Sequence, residues 1–253
     1  MGKIIALANQ KGGVGKTTSA VNLAAGLGLL GKKALLVDLD PQGSATSSLG
    51  IAKKALRFTS ASLLMEGCRF DSVRIATRFK GLDLIPANVS LAATEFDLIE
   101  REGGELALRR ALSTVRDDYD YIILDCPPSL GMLTVNAMVA GDGVIIPMQC
   151  EFFALEGLVQ LMTTIKQLRH RYNPRLAIVG ILATMFNDRM ELATDVLAEL
   201  KKHYGDRVFD TRITRSDRLS EAPGFGMPVY YHDEESLGAI EYLQAAKELL
   251  DRI

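Results

Sequence analysis

Between an apolar run at residues 4–8 and a small-residue helical stretch at residues 17–30, the chain reads Lys11-Gly12-Gly13-Val14-Gly15-Lys16-Thr17-Thr18. No other segment restricts the fold as strongly. Glycines here let the backbone turn its N–H groups inward around a shared anion. A helix that opens directly after such a loop aims its positive end at the same charge. Strand, loop and helix in this order are the context of a phosphate-binding loop, the mark of a P-loop NTPase. Lys16 is placed to reach the β- and γ-phosphates of a nucleotide, and the Thr17 hydroxyl to ligate Mg²⁺. Thr18 is placed to meet the α-phosphate. The general pattern asks for glycine at position 10, where this chain has Gln10; a second lysine, Lys11, opens the loop instead.

The rest of the chain supplies a sheet to carry that loop. Short apolar runs at residues 4–8, 34–37, 82–85, 121–124, 143–147 and 178–183 read as buried parallel strands. Helical spacing separates them, at residues 17–30, 105–115, 154–172, 192–204 and 236–252. Alternation of this kind predicts an α/β fold with a doubly wound, mostly parallel sheet and helices on both faces. We read residues 1–253 as a single domain, with competing strand and helix signals at 50–80. An apolar share of 48% is enough for a real core. The longest later apolar stretch is far below the ~20 residues that span a bilayer. Cys68, Cys126 and Cys150 are widely spaced with no CxxC, which argues against a disulfide framework or zinc site and fits a reducing cytoplasm. The net charge of −2 argues against a chain coated in nucleic acid, while leaving room for a local basic patch. The first strand begins near the N-terminus, so any DNA binding is expected from the body of this domain rather than from an upstream helix-turn-helix.

Two acidic segments follow strands. Val37-Asp38-Leu39-Asp40-Pro41-Gln42-Gly43 puts two carboxylates at a strand's carboxyl end, suited to holding Mg²⁺ waters and an attacking water. Ile122-Ile123-Leu124-Asp125-Cys126-Pro127-Pro128 is a buried strand ending in an acid, and reads as a Walker B segment with Asp125 holding Mg²⁺ through water. Cys126 reads as a small core residue beside that site. The chemistry these groups suit is phosphoryl transfer to water, catalysed by positioning and electrostatics. No glutamate or glutamine stands out as a base, so slow basal turnover, accelerated by a partner, is expected.

K-G-G-V-G-K-T-T resembles the deviant Walker A motif of the ParA/MinD superfamily, and the resemblance extends from Lys3 to the last helix. It implies an ATP-dependent sandwich homodimer in which Lys11 crosses to the partner's nucleotide, with Lys11, Lys16 and Asp40 as catalytic residues. Residues 11–18 would bind ATP, with Mg²⁺ at Thr17, Asp38 and Asp125. Matching of D-x-D-P-Q-G has Asp40 orient the hydrolytic water and Asp38 support the magnesium side. Thr184-Met185-Phe186-Asn187-Asp188-Arg189 resembles the family's adenine-side loop, with Asn187 where the family usually has aspartate; Met185 or Asn187 is expected near the base. Residues 211–228 resemble the P-R-N-V-R-L-S-E-A-P segment of the chromosomal ParA (Soj) group, with Thr214 in place of its proline. The match implies that Pro223 lies against adenine and that Arg189, Arg215 and Arg218 meet the DNA backbone. Lys166, Arg169, Arg171 and Arg175 form a second basic run without an acid.

The resemblance therefore implies a nucleoid-associated, cytoplasmic switch. It would bind double-stranded DNA without sequence preference and be released by a ParB-type adaptor. Two other branches fit less well. A MinD-like regulator would end in a basic amphipathic helix that lies on a membrane, whereas residues 247–253 carry mixed charge. The nitrogenase iron protein holds a cluster between paired cysteines, and Cys126 and Cys150 lack that context. A ParA-like positioner of another cargo would use the same residues.

Overall fold

The computed structural model describes all 253 residues. Its sheet has seven strands: β1 (Lys3–Leu7), β2 (Ala34–Asp38), β3 (Ile75–Ala76), β4 (Leu82–Ile85), β5 (Tyr121–Asp125), β6 (Gly143–Gln149) and β7 (Ala177–Thr184). Between and after them come α1 (Lys16–Leu29), α2 (Ser44–Ser48), α3 (Ser60–Leu64), α4 (Phe70–Val73), α5 (Ser90–Glu100) and α6 (Ala107–Ser113). The remaining helices are α7 (Met132–Ala140), α8 (Ala154–Arg171), α9 (Glu191–Tyr204), α10 (Asp217–Glu221), α11 (Val229–His232) and α12 (Leu237–Arg252). The strand order is β3-β4-β2-β5-β1-β6-β7. Every pairing is parallel except that of the edge strand β3 with β4.

Continuous apolar strands arise because both faces of the sheet are covered. Along β1, Ile4, Ala6 and Ala8 enter one core while Ile5 and Leu7 enter the other. The first core is closed by Leu98 of α5, Leu108 of α6, Leu133 of α7, Leu161 of α8 and Leu197 of α9. The second is closed by α1 and α12, through Leu23 and Leu27 against Tyr242 and Leu249. A hydroxyl pair, Ser19 and Tyr242 at 2.9 Å, satisfies the polar atoms buried between those two helices.

The six expected parallel strands form within a residue or two of the sequence reading. The 50–80 stretch resolves into α3, α4, a 3₁₀ turn at Lys53–Ala55 and the two-residue β3, elements too short for periodicity to show. The helix expected at 105–115 is split into a 3₁₀ turn (Gly104–Leu106) and α6. Helices α5 and α7 have no counterpart in the sequence reading.

Helix α1 lies so close to the loop between β3 and β4 that position 28 has no room for a side chain: a Cβ there would overlap the carbonyl oxygen of Lys80. Backbone cannot swing aside as a side chain can. Gly28→Ala is therefore expected to lower stability by about 1–3 kcal/mol, read as a reduced urea midpoint at unchanged slope.

Candidate functional site

All the candidate phosphate chemistry converges on the carboxyl ends of β1, β2 and β5. Register makes Asp125 the direct neighbour of both Leu7 on β1 and Asp38 on β2. The loop after β1 stands over these two buried acids. Gly13 and Gly15 have φ of 72° and 79°, conformations that disfavour other residues. Gly15 is the N-cap of α1 and supplies no side chain there, so the first N–H groups of that helix stay free to face an anion.

Two residues outside the motif hold the loop in shape. Asn9 accepts from the Lys11 N–H at 3.0 Å and donates to the Pro147 carbonyl at 2.8 Å. Thr184, at the end of β7, donates its hydroxyl to the Val14 carbonyl at 2.8 Å. Sequence reasoning assigned neither, since an Asn and a Thr after strands carry no distinctive pattern until the fold brings them beneath the loop.

The two loop lysines differ sharply. Lys16 is buried and donates to the Lys11 carbonyl at 3.0 Å, folded across the mouth of its own loop. Burial lowers its pKa, and the charges of Asp125 and Asp40 oppose that loss. Lys11 is exposed, and its ammonium pairs with Glu151 of the same chain at 2.5 Å.

The three acids differ as well. Asp38 is fully buried and accepts from the Asp40 N–H at 3.1 Å, the Thr46 N–H at 2.8 Å and the Thr46 hydroxyl at 2.7 Å. Thr46 in turn accepts from the Ala87 N–H at 2.9 Å. Asp38 thus pins the turn that carries Asp40 to α2 and to the end of β4. Burial raises its carboxyl pKa to about 6 despite those donors. Asp40 is half-buried, accepts from the Gln42 N–H at 2.9 Å, and lies near enough to Lys16 and Asp125 for its charge to act on both. Asp125 is fully buried, and neither carboxylate oxygen has a hydrogen-bond partner. Burial first, then Asp38, pushes its pKa well up; the Thr17 hydroxyl and Lys16 pull the other way, though Thr17 completes no hydrogen bond. A buried carboxylate without a donor is costly. Beside a half-buried threonine hydroxyl and a phosphate loop, it has the donor set of a hydrated magnesium site. Burial also raises the Cys126 thiol, leaving it an inert core group rather than a reactive one.

A groove of about 970 Å³ runs beside the loop, lined among others by Glu151, Met185, Asn187, Arg189 and Arg215. Met185 has φ of 48°, and its methyl carbon lies 3.8 Å from where a Cβ on Gly15 would sit. A non-glycine residue forced left-handed against the phosphate loop marks a constrained wall of this site. Pro223 does not line the groove. It lies in a 3₁₀ turn (Ala222–Phe225) that packs on α2, so the structure does not bring it together with Met185 and Asn187.

The basic residues also separate. Arg189 and Arg215 line the groove free of ion pairs, whereas Arg218 is held by Glu221 at 2.9 Å and by Asp233 at 3.2 Å. Lys166, Arg169, Arg171 and Arg175 are exposed on and just beyond α8, with no carboxylate paired to them.

Fold and site together define a P-loop nucleotide-binding protein with its chemistry at the sheet's carboxyl edge. Residues 2–178 match the family model described as an AAA domain. Bacillus subtilis sporulation initiation inhibitor protein Soj is 49% identical over 98% of this chain and 98% of its own. Caulobacter vibrioides chromosome partitioning protein ParA is 45% identical over 99% of this chain and 94% of its own. Among solved structures, a Mycobacterium smegmatis protein described as cobyrinic acid a,c-diamide synthase, with bound ATP analogue and magnesium, is 38% identical. It superposes with a TM-score of 0.87 over 99% of this chain and 95% of that chain. The septum site-determining protein MinD of Pyrococcus horikoshii, solved with Mg-ADP, superposes with a TM-score of 0.80 at 25% identity, over 98% and 96% of the two chains. This chain belongs to the ParA/Soj family of chromosome-partitioning ATPases.

Proposed function

We propose that residues 1–253 act as one ATP-driven partitioning domain: ATP pairs two copies, the pair holds duplex DNA without reading its sequence, and a ParB-type adaptor triggers hydrolysis and release. The observation that carries this reading is the division of labour between the two loop lysines. Lys16 is buried in its own site, while Lys11 sits on the rim and is free to reach outward once it leaves Glu151. Phe152 and Phe153, each 71% exposed, follow Glu151 directly and offer apolar surface for a second copy to cover. Size-exclusion chromatography with and without ATP tests the reading, with Asp40→Ala used to trap the bound state. A dimer is expected only with ATP; a monomer under all conditions would overturn it.

ATP and Mg²⁺ fit the residues present. Residues 11–18 would cradle the phosphates, and Thr17 with Asp125 would hold the hydrated metal. When bound, Mg²⁺ neutralises charge on the phosphate oxygens. Asp38 serves the magnesium side by fixing the backbone of the Asp40 turn. Asp40 orients the attacking water, Lys16 stabilises charge on the transferred group, and the partner copy's loop contributes a second cation, as an arginine finger does. Met185 and Asn187, which line the groove beside the loop, would meet the base. The same site would serve a cargo other than a chromosome or plasmid.

For DNA, the free guanidinium groups of Arg189 and Arg215 are better placed than Arg218, whose fork is filled by two carboxylates. Arg189→Glu together with Arg215→Glu is expected to weaken duplex binding by about tenfold or more at 100 mM salt and to flatten its salt dependence. ATP-dependent pairing should persist. Unchanged affinity in filter binding would remove these residues from the interface.

The membrane alternative finds no support in the last helix. The apolar face of α12, with Ala245, Ala246 and Leu249, is buried in the core that α1 closes. No helix is long and apolar enough to cross a membrane. A cytoplasmic, nucleoid-associated location follows from the proposed activity, and imaging of a fluorescent fusion against stained DNA would test it.

A further inference from the structure

Gln10 stands where the general phosphate-loop pattern has glycine, and phosphate binding does not call for its side chain. The structure gives that side chain other partners. Its half-buried amide donates to the Gly157 carbonyl at 3.1 Å and to the Gln160 side-chain carbonyl at 3.2 Å, both on α8. Both amide hydrogens are thereby used. Its neighbours on the loop lean on the same stretch of chain. Asn9 donates to Pro147 near the end of β6, and Lys11 pairs with Glu151 in the connection to α8. Three successive loop residues are thus tied to residues 147–160, each by its own side chain.

That stretch also carries the apolar surface offered to a second copy. Phe152 and Phe153 pack edge to face, with ring centroids 5.2 Å apart, and both are exposed. Phe153, Gly157 and Gln160 follow one another at spacings of four and three residues, which puts them on one side of α8. Apolar burial is non-directional, so Leu158, Leu161 and Ile165 hold α8 against the sheet while setting its roll less sharply than a hydrogen bond does. The two bonds from Gln10 are directional and fix that roll relative to the loop.

We propose that Gln10 is a positioning residue for pairing: it holds α8 to the phosphate loop, so that Lys11 and the Phe152–Phe153 pair meet a second copy in one register. The proposal rests on the ATP-dependent pairing read above. Lys11 can serve a facing nucleotide only if the surfaces that join the copies seat it accurately, because small misplacements of a charged group cost turnover steeply. To reach outward Lys11 must leave Glu151, and its own tie to this stretch is then gone. Asn9 still holds the loop to β6, but only Gln10 holds it to α8. A glycine at position 10 would leave helix and loop uncoupled at the moment Lys11 is in use. With its amide spent on α8, Gln10 acts through Lys11 rather than on phosphate.

The test uses the full chain carrying Gln10→Ala, Gln10→Glu, or Gln10→Glu together with Gln160→Lys. In Gln10→Ala, fluorescent-nucleotide affinity is expected to stay within about threefold of the wild type. The protein concentration needed for ATP-dependent pairing, read by light scattering, should rise about tenfold, and turnover at saturating ATP should fall by a similar factor. Gln10→Glu sets a carboxylate against the two oxygens that the amide served, and should pair no better than Gln10→Ala. Adding Gln160→Lys restores an attraction across the same gap and should recover most of the loss. Hydrogen exchange at residues 153–160, measured without nucleotide, should be faster in Gln10→Ala, while β1 and β5 stay protected as in the wild type. Wild-type pairing and turnover in Gln10→Ala would overturn the proposal. So would a pairing defect that Gln160→Lys leaves untouched, or exchange at 153–160 that does not change. Exchange is read with no ATP and no second copy. A wild type that fails to pair with ATP therefore counts against the partitioning reading, whereas normal pairing by Gln10→Ala counts against the positioning role alone.

Discussion

Lys11→Ala is expected to bind ATP within about threefold of the wild type, yet to fail to dimerise and to lose on the order of 10³-fold in turnover. The expectation follows from where the two lysines sit. Removing an exposed group that touches only Glu151 leaves the phosphate cradle, Lys16 and Thr17 in place, so ground-state binding should survive. What disappears, on the proposed function, is a cation that would act only when a second copy delivers it. Interactions realised only in the transition state are lost from turnover rather than from affinity. Light scattering with ATP and a fluorescent-nucleotide titration read the two halves separately; a Lys11→Ala protein that pairs like the wild type would falsify the reading. Glu151→Gln is the complementary change. It frees Lys11 from an exposed ion pair worth at most about 1 kcal/mol, so pairing should need only a few-fold less protein.

Asp125→Asn should do two opposite things: stabilise the nucleotide-free protein and abolish magnesium-dependent hydrolysis. The wild-type carboxylate is buried with no donor, which raises its pKa well above the ordinary 3.8. The native state then holds a proton that the unfolded chain has already released. Stability consequently falls as pH rises from about 4, and keeps falling until the native carboxyl has ionised. Asp38 adds to the same slope between its ordinary 3.8 and about 6. Neutral asparagine removes the Asp125 share, so at pH 8 without nucleotide the variant is expected to gain on the order of 2 kcal/mol. Added Mg²⁺ and ATP should reverse the ranking, since ligand that binds only the native wild type stabilises it by mass action. Thermal melts across pH 5–8, with and without Mg-ATP, check both parts. A variant less stable than the wild type in the absence of nucleotide would show that the carboxylate is not an unpaid cost.

Different residues were legible to different degrees. The glycine-rich loop was readable because its chemistry is local: consecutive residues form the cradle, so spacing alone specifies it. The ends of β2 and β5 were readable for a similar reason, each being an apolar run that stops at an acid. Thr46, Asn9 and Thr184 were not. Each meets a partner far along the chain, across 41 residues for Thr46 and Ala87 and 170 for Thr184 and Val14. Helix α5 was missed because its exposed apolar residues, Phe96 and Ile99 among them, blur the amphipathic pattern that marks a surface helix. Pro223, singled out from a matched segment, sits in a 3₁₀ turn against α2 rather than in the groove lined by Met185 and Asn187, a placement no local pattern announced.

What the sequence by itself determined was the kind of chemistry and the sheet that carries it. Lys16, Thr17 and the strand-end acids declare a phosphate site, and alternating apolar runs declare a parallel sheet. Only the tertiary structure decided which groups are already spent and which are waiting. Asp38 is consumed by Thr46 and Asp125 is left bare; Lys11 is parked on Glu151 and Arg218 between two acids, while Arg189 and Arg215 stay open. Availability depends on burial and on neighbours from distant strands and helices, and those distances exist only once the chain has closed on itself.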